Sequence, residues 1–368
     1  METQNSGARD VFEPENKIQF VVVLRAVASL MVMFSHLMFF YDANKIHSFF
    51  FGFIRDHVIY PFAIIQNFGF FGVVLFFLVS GFIVSYVSRR DGGFAFLIKR
   101  VFRIYPPLIL SVLLITLIYS LYTFISHETT DLMGISFVDI FTSSTLINYL
   151  IPNSVKINPV AWTLIIEMVF YFICFLTLPL LKNKPKIAIL INLFFVFMVI
   201  CFYKSFGDTF YLFAVTVCYL PFLFLGQLIY FLWDSRITFR VFLLSSIANY
   251  VLIVYGLLMK IYPTFYAPGN SYLITFVYAY FTFVLLLLLN KHIKRSSIIN
   301  FFSKISYSLY LYNRLIALFL VILVPLVGFV FGSVLTLTLI VIISYLSWRF
   351  AEEFFRQFAR KIITKLNL

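Results

Sequence analysis

The chain has 368 residues, of which 62% are hydrophobic and 12% charged, and its mean hydropathy is +1.00. A soluble domain carries about 25% charged residues, so a chain this apolar cannot cover itself in water, and lipid is the expected solvent for most of it. The net charge of +13 does not point to nucleic acid, because the basic residues sit in short segments between apolar runs, which is the pattern of membrane topology.

In chain order, residues 1–17 are polar, carry Glu2, Asp10, Glu13 and Glu15, and lack the charged start and small-residue cleavage site of a signal peptide. They read as a cytoplasmic tail. Ten apolar runs follow, of the length a helix needs to cross the hydrocarbon: 18–40, 61–87, 104–125, 161–181, 187–203, 210–232, 241–258, 272–289, 305–327 and 334–350. They predict an all-α, polytopic helical bundle, with residues 18–350 as the transmembrane domain and 351–368 as a basic cytoplasmic tail. The longest loop, 126–160, has room for a short interfacial helix, and Pro325, Gly328, Gly332 and Ser333 mark the turn between the last two runs. With the amino terminus inside, 21 of the 28 Lys and Arg fall on the cytoplasmic side and five outside, which places both termini in the cytoplasm. Cys174, Cys201 and Cys218 lie in or at the ends of apolar runs without metal-ligand spacing, so they are expected to pack, with no metal and no disulfide.

Four ionisable groups fall inside the runs: Arg25 and His36 in the first, Glu167 in the fourth and Arg314 in the ninth. Each is costly in hydrocarbon and needs a partner, a cavity or a task. Arg25 and His36 are eleven residues apart, which returns to nearly the same helix face about 16 Å further along. By the same arithmetic His36 and Glu167 lie about 6 to 9 Å from the outer ends of their runs, and are expected to share an outer-half cavity. Arg25 and Arg314 lie about 10 to 14 Å from the cytoplasmic ends, above a mouth lined by Arg100 and Arg103. Simpler readings exist for each group. A membrane His can be bonded across helices, an Arg can snorkel to headgroups, Glu167 can be half of a structural ion pair, and Arg100 and Arg103 can be ordinary topological anchors.

Five segments carry a resemblance. They are LRAVASLMVMFSH (Leu24 to His36), FFLVSGF (Phe76 to Phe82), KRVFRIYP (Lys99 to Pro106), AWTLIIEMVFY (Ala161 to Tyr171) and ISYSLYLYN (Ile305 to Asn313). In this order the chain resembles the membrane acyltransferase type 3 family, whose patterns are Arg-x10-His, Phe-Phe-x-x-Ser-Gly-Phe, Arg-x-x-Arg-Ile-x-Pro, Trp-Ser-Leu-x-x-Glu-x-x-Phe-Tyr and Ser-Tyr-x-x-Tyr-Leu-x-His. Two places depart from it. Asn313 stands where the family usually has His, and Ala351 to Phe354 (AEEF) stand where many members have Glu-Arg-Pro. Asn cannot take up a proton at neutral pH, so a proton relay at that position is not expected here.

The resemblance implies transfer of an acyl group, commonly acetyl, from cytoplasmic acyl-CoA to a hydroxyl of an extracytoplasmic carbohydrate or lipid-linked sugar, in a bacterial inner membrane. Arg25, Arg100 and Arg103 are then expected at the CoA phosphates, since guanidinium forks match phosphate oxygens. His36 is the general base or the covalent acyl carrier, and Glu167 orients His36 or holds the sugar. Trp162 and Tyr171 offer stacking and a hydroxyl, Ser80 and Gly81 a close approach for a helix or the pantetheine arm, and Tyr310, Asn313 and Arg314 a supporting role. Without an appended extracytoplasmic domain, the bundle itself delivers the acyl group or relies on a separate partner protein. The competing reading is a glycan or lipid flippase, which uses buried polar groups but consumes no acyl-CoA.

Overall fold

The structure, a computed structural model, describes residues 18–46, 48–258 and 269–366. The amino-terminal tail expected over 1–17 lies outside the described residues, among which there is no strand. The chain opens with α1 (Gln19–Ala43), followed on the far side by the short α2 (Phe49–Ile54) and by the return helix α3 (Gly69–Ser88). Next comes the longest uninterrupted α-helix, α4 (Gly93–Ser126), and then the loop helix α5 (Phe137–Ser144), closed by a capping box between Ser136 and Asp139. Helices α6 (Trp162–Leu176) and α7 (Leu178–Asn183) are separated at Thr177, just before Pro179, which lacks an amide hydrogen. Then follow α8 (Pro185–Cys201), α9 (Gly207–Val217), α10 (Leu220–Trp233), α11 (Phe239–Leu258) and α12 (Gly269–Leu288). The chain ends with α13 (Ser297–Leu311), α14 (Arg314–Val327), α15 (Phe329–Ser347) and α16 (Glu353–Lys365).

Each of the ten expected runs coincides with a helix or a pair of helices. Among the described residues eight segments are long and apolar enough to cross a membrane, α9 and α10 counting as one, and the pair α13 and α14 makes a ninth if taken together. The remaining run is α8, a shorter apolar helix. The chain is thus an integral membrane helical bundle, and the wide exposure of Leu117, Leu121, Phe194 and Phe197 marks the surface that lipid covers.

Four runs depart from their expected course. The second run starts at Gly69 rather than residue 61, because Gln66 and Asn67 take left-handed backbone angles (φ 52° and 48°) that no helix continues. The third starts at Gly93 rather than 104, so Arg100 and Arg103 stand on a helix. The ninth is not one helix: α13 and α14 meet at 84°. The last run does not stop at residue 350 either. A π turn over Trp348–Glu352 joins α15 to α16, and Phe102 of α4 stacks on Phe355 and packs edge-on against Phe358, so the basic segment after residue 350 is a helix docked on α4.

The centre is built by small residues that let backbones touch, the usual device where lipid offers no hydrophobic drive between helices. A side chain at Gly81 of α3 would collide with the Leu223 carbonyl of α10, and one at Gly226 of α10 with the Leu78 carbonyl of α3. On the other face of α3, Gly69 and Gly72 lie against Ser35, Ala28 and Val32 of α1.

Candidate active site

A cavity of about 590 Å³ opens between α1, α3, α4, α6, α13 and the junction of α15 with α16. At its mouth stand Arg90, Lys99, Lys304, Arg349, Arg356 and Arg360, and it reaches into the bundle as far as Val73, Phe76, Thr163 and Tyr310. Nine Lys and Arg and four Asp and Glu line it. Two of the four acids pair near the mouth, Asp91 with Lys99 and Glu353 with Arg356, each at 2.5 Å. The other two acids, Glu167 and Glu352, line the interior. Arg25, Ser80, Arg100, Arg103, Glu167 and Tyr310, chosen from the sequence at scattered positions, all line this one space.

Helix α4 carries Arg100 and Arg103 three residues apart, on neighbouring positions of one face. Arg100 is buried, its guanidinium lying 5.2 Å from the Phe96 ring and 5.4 Å from the Tyr171 ring, with Nε unpaired. Glu167 on α6 accepts hydrogen bonds from Ser80 Oγ and, at 2.7 Å, from the Tyr171 hydroxyl one turn along, while its charge acts on both arginines. The Tyr310 hydroxyl donates to the Val160 carbonyl at 2.6 Å and accepts from Thr163 at 3.0 Å, and its ring meets Phe76 edge-on at 5.7 Å. Phe76 and Tyr310 thereby form a ceiling.

Glu352 is a site residue that the sequence reading missed. It sits on the π turn, accepts from the Ser308 amide at 3.1 Å and from Ser308 Oγ, and exerts its charge on Arg103 as Arg25 and Arg103 do on it. A glutamate just past an apolar run reads as the end of a span. Continuing the helical period of the last run by one turn would have brought it to the cavity.

His36 is not among the lining residues. Since Gly69 lies against Ser35, and α3 runs antiparallel to α1, depth along one helix can be read from the other. Ser80 is eleven residues below Gly69, about 16 Å, which puts it and the Glu167 it bonds near the level of Leu24 and Arg25. The expected outer-half cavity shared by His36 and Glu167 is therefore absent: they are about three turns apart in depth. Depth counted from the ends of apolar runs misplaces Glu167, because the residues just before α6, Asn158, Val160 and Ala161, are themselves buried in the bundle.

Arg314 is also displaced from its expected inner position. Because α13 begins at Ser297, Arg314 lies beyond the 84° bend, where it pairs with Asp131 of the loop, stacks at 5.2 Å over Tyr119, and is the charged neighbour that acts on His36. Asn313 is buried beside it, with neither side-chain polar atom bonded. Gly81 serves the crossing of α3 with α10 and does not line the cavity. Trp162 faces a separate recess of about 450 Å³, with Tyr149, Tyr211, Tyr219 and Asp208, at the end of α6 away from the basic mouth.

A family model described as an acyltransferase domain matches residues 18–348, a stretch that takes in every lining residue named above except Arg349, Glu352, Glu353, Arg356 and Arg360. No curated protein and no solved structure matches the chain.

Proposed function

The chain belongs to the acyltransferase type 3 family, and from that premise we propose that it moves an acyl group, acetyl in the first instance, from cytoplasmic acyl-CoA to a hydroxyl of an extracytoplasmic carbohydrate or lipid-linked sugar. One observation carries the reading: a cavity lined by nine cations and four carboxylates, open at a basic mouth and running into the bundle. Phosphates are the ligand such a space suits, because guanidinium groups bond their oxygens in pairs and gain strength away from bulk water. The mouth cations and Arg103 take the nucleotide end of CoA, and the acyl thioester extends past Ser80 and Glu167 towards the ceiling of Phe76 and Tyr310.

His36 stands on the same face of α1 as Arg25, about 16 Å beyond it, which gives a line along which the thioester approaches the outer side. There the imidazole takes the proton of the acceptor hydroxyl as its oxygen attacks the thioester carbon. The carbon–sulfur bond breaks, and CoA leaves as the thiol once it receives a proton. Carriage of the acyl group on the ring before transfer is the variant of the same step, and an acid-quench search for acyl-His36 without acceptor separates the two. Glu167, at a different depth from His36, holds Ser80, Tyr171 and the two arginines of α4 in place rather than orienting the imidazole. The expected setting is the inner membrane of a bacterium.

The test uses purified protein in vesicles with acetyl-CoA supplied to the basic mouth. Arg103→Ala should raise KM for acetyl-CoA about tenfold or more, roughly 1.4 kcal/mol or above, with a smaller change in kcat. His36→Ala should abolish acylation of the glycan while the protein still inserts. An unchanged KM in the first variant would remove the cavity as the donor site. Sugar acylation at the wild-type rate in the second would remove His36, and no loss of thioester in the wild-type protein would remove the activity.

A further inference from the structure

The recess at the end of α6 away from the basic mouth has no part in the donor chemistry. Its volume of about 450 Å³ is within the range of small-molecule pockets. Asp208, Tyr211, Val215 and Tyr219 enter it at the spacing of one helical face along α9 and just past its end, and residues 149–156 close it from the loop. Helix α6 divides its two sides: Trp162, Ile165 and Ile166 face the recess, while Thr163, Leu164 and Glu167 line the cationic cavity. The two spaces therefore stand back to back on α6, with Trp162 of the recess and Phe77 of the cavity meeting edge-on at 6.3 Å.

Unlike the cavity, the recess is balanced in charge. Lys156 and Asp208 alone among its lining residues are charged, and among the described residues no ion pair joins them. Lys156 Nζ donates to the Asn148 carbonyl and to Ser154 Oγ, which leaves one of its three N–H groups for a ligand. Asp208 is exposed in the first turn of α9. Four aromatic residues, Tyr149, Trp162, Tyr211 and Tyr219, add rigid apolar area with polar edges, and Trp162 is held edge-on by Tyr219 at 4.9 Å. Such a lining suits neither a polyanion nor a cation. It suits an uncharged ring with C–H faces for the aromatics and hydroxyls that donate to Asp208 and accept from Lys156, which is the shape of a pyranose. An acyl chain would leave the carboxylate and the ammonium unused.

We infer that this recess is a saccharide-binding site, which anchors the sugar chain of the acceptor at the end of the bundle opposite the donor's mouth. Its role as acceptor anchor rests on the reading of the chain as a carbohydrate acyltransferase, while the binding of a sugar ring stands on the recess alone. His36 does not line it, so the recess holds the chain and makes or breaks no bond. With the two ligands on different faces of α6, both can be bound at once.

The probes are three neutral trisaccharides, maltotriose, cellotriose and chitotriose, titrated into the full-length protein in lipid nanodiscs free of sugar-bearing detergent, with tryptophan emission as the readout. Of the three tryptophans in the chain, Trp162 is the one that lines the recess. At least one trisaccharide should shift the emission saturably, Trp162→Phe should remove the shift, and saturating CoA should leave the titration unchanged. By calorimetry, Tyr211→Ala and Asp208→Asn should each weaken binding about tenfold, the loss of one stacked ring or one charge-assisted hydrogen bond. Asp208 is exposed, so its variant serves if Tyr211→Ala does not fold. No saturable shift with any of the three sugars, a shift that survives Trp162→Phe, competition by CoA, or equal affinity in wild type and both variants overturns the saccharide site. Loss of acetyl-CoA thioester is measured separately on the wild-type protein. Thioester loss without trisaccharide binding strikes the recess and leaves the acyltransferase standing; trisaccharide binding without thioester loss keeps the sugar site and removes its role as acceptor anchor.

Discussion

Ser80, Arg100, Arg103, Glu167 and Tyr171 come from three helices and meet at one place: two hydroxyls donate to the Glu167 carboxylate, and the Arg100 guanidinium lies over the Tyr171 ring. Removing the acceptor leaves the Ser80 and Tyr171 hydroxyls without their partner, and an unsatisfied buried donor costs about 1 to 3 kcal/mol. Glu167→Ala should therefore destabilise by about 1 to 3 kcal/mol, read as a fall in the midpoint of thermal unfolding in detergent. Glu167→Gln, which keeps an acceptor for Ser80 and Tyr171, should recover part of it. Equal midpoints for the two variants would show that the hydroxyl contacts carry none of the stability. At this scale the sequence was informative about residue type and poor about partnership. Arg25, Arg100, Arg103, Ser80 and Glu167 stood out as costly or close-packing groups and do share a cavity. Arg314 stood out equally and belongs elsewhere, since which end of a bundle a residue reaches depends on where its helix starts and bends.

Among the helices, the crossing of α3 with α10 is the contact least tolerant of change, because Gly81 and Gly226 each lie on a carbonyl of the other helix. Gly226→Leu should force the pair apart and sharply reduce the yield of monodisperse protein by size exclusion. Gly52, with open space around its Cβ position, should accept Ala without loss. In the loop of residues 126–160, the Ser136 hydroxyl and then its amide hold the Asp139 carboxyl below the usual carboxylate range. A depressed pKa means that the stabilisation of α5 is present above the unfolded value of about 3.9 and is lost as pH falls through the depressed one. Amide exchange over 137–144, corrected for its intrinsic pH dependence, should thus accelerate in that acidic window and not between pH 5 and 8. Apolar period and flanking charge were sufficient to find the helices. The breaks at Thr177 and after Leu311 and the π turn at Trp348 were hidden, because hydropathy is the same on either side of a bend.

On the scale of the whole molecule, charge is divided between the two ends of the bundle, and the cavity opens at the basic one. Part of its attraction for a polyanion acts through water at the mouth and is screened by salt, so KM for acetyl-CoA should rise steadily with ionic strength while His36-dependent kcat stays nearly constant. An invariant KM would place the phosphates deeper than the mouth cations. The sequence by itself determined that this is a membrane-embedded helical chain, which helices it has, and that it is an acyltransferase by family, because composition, apolar run length and local motifs are written along one dimension. Tertiary structure alone decided depth and company: that Glu167 lies with Arg25 and not with His36, that Arg314 pairs with the loop of residues 126–160, and that Glu352 enters the cavity. Those facts follow from where glycines let helices touch and where the backbone bends, and both are properties of pairs of segments far apart in the chain.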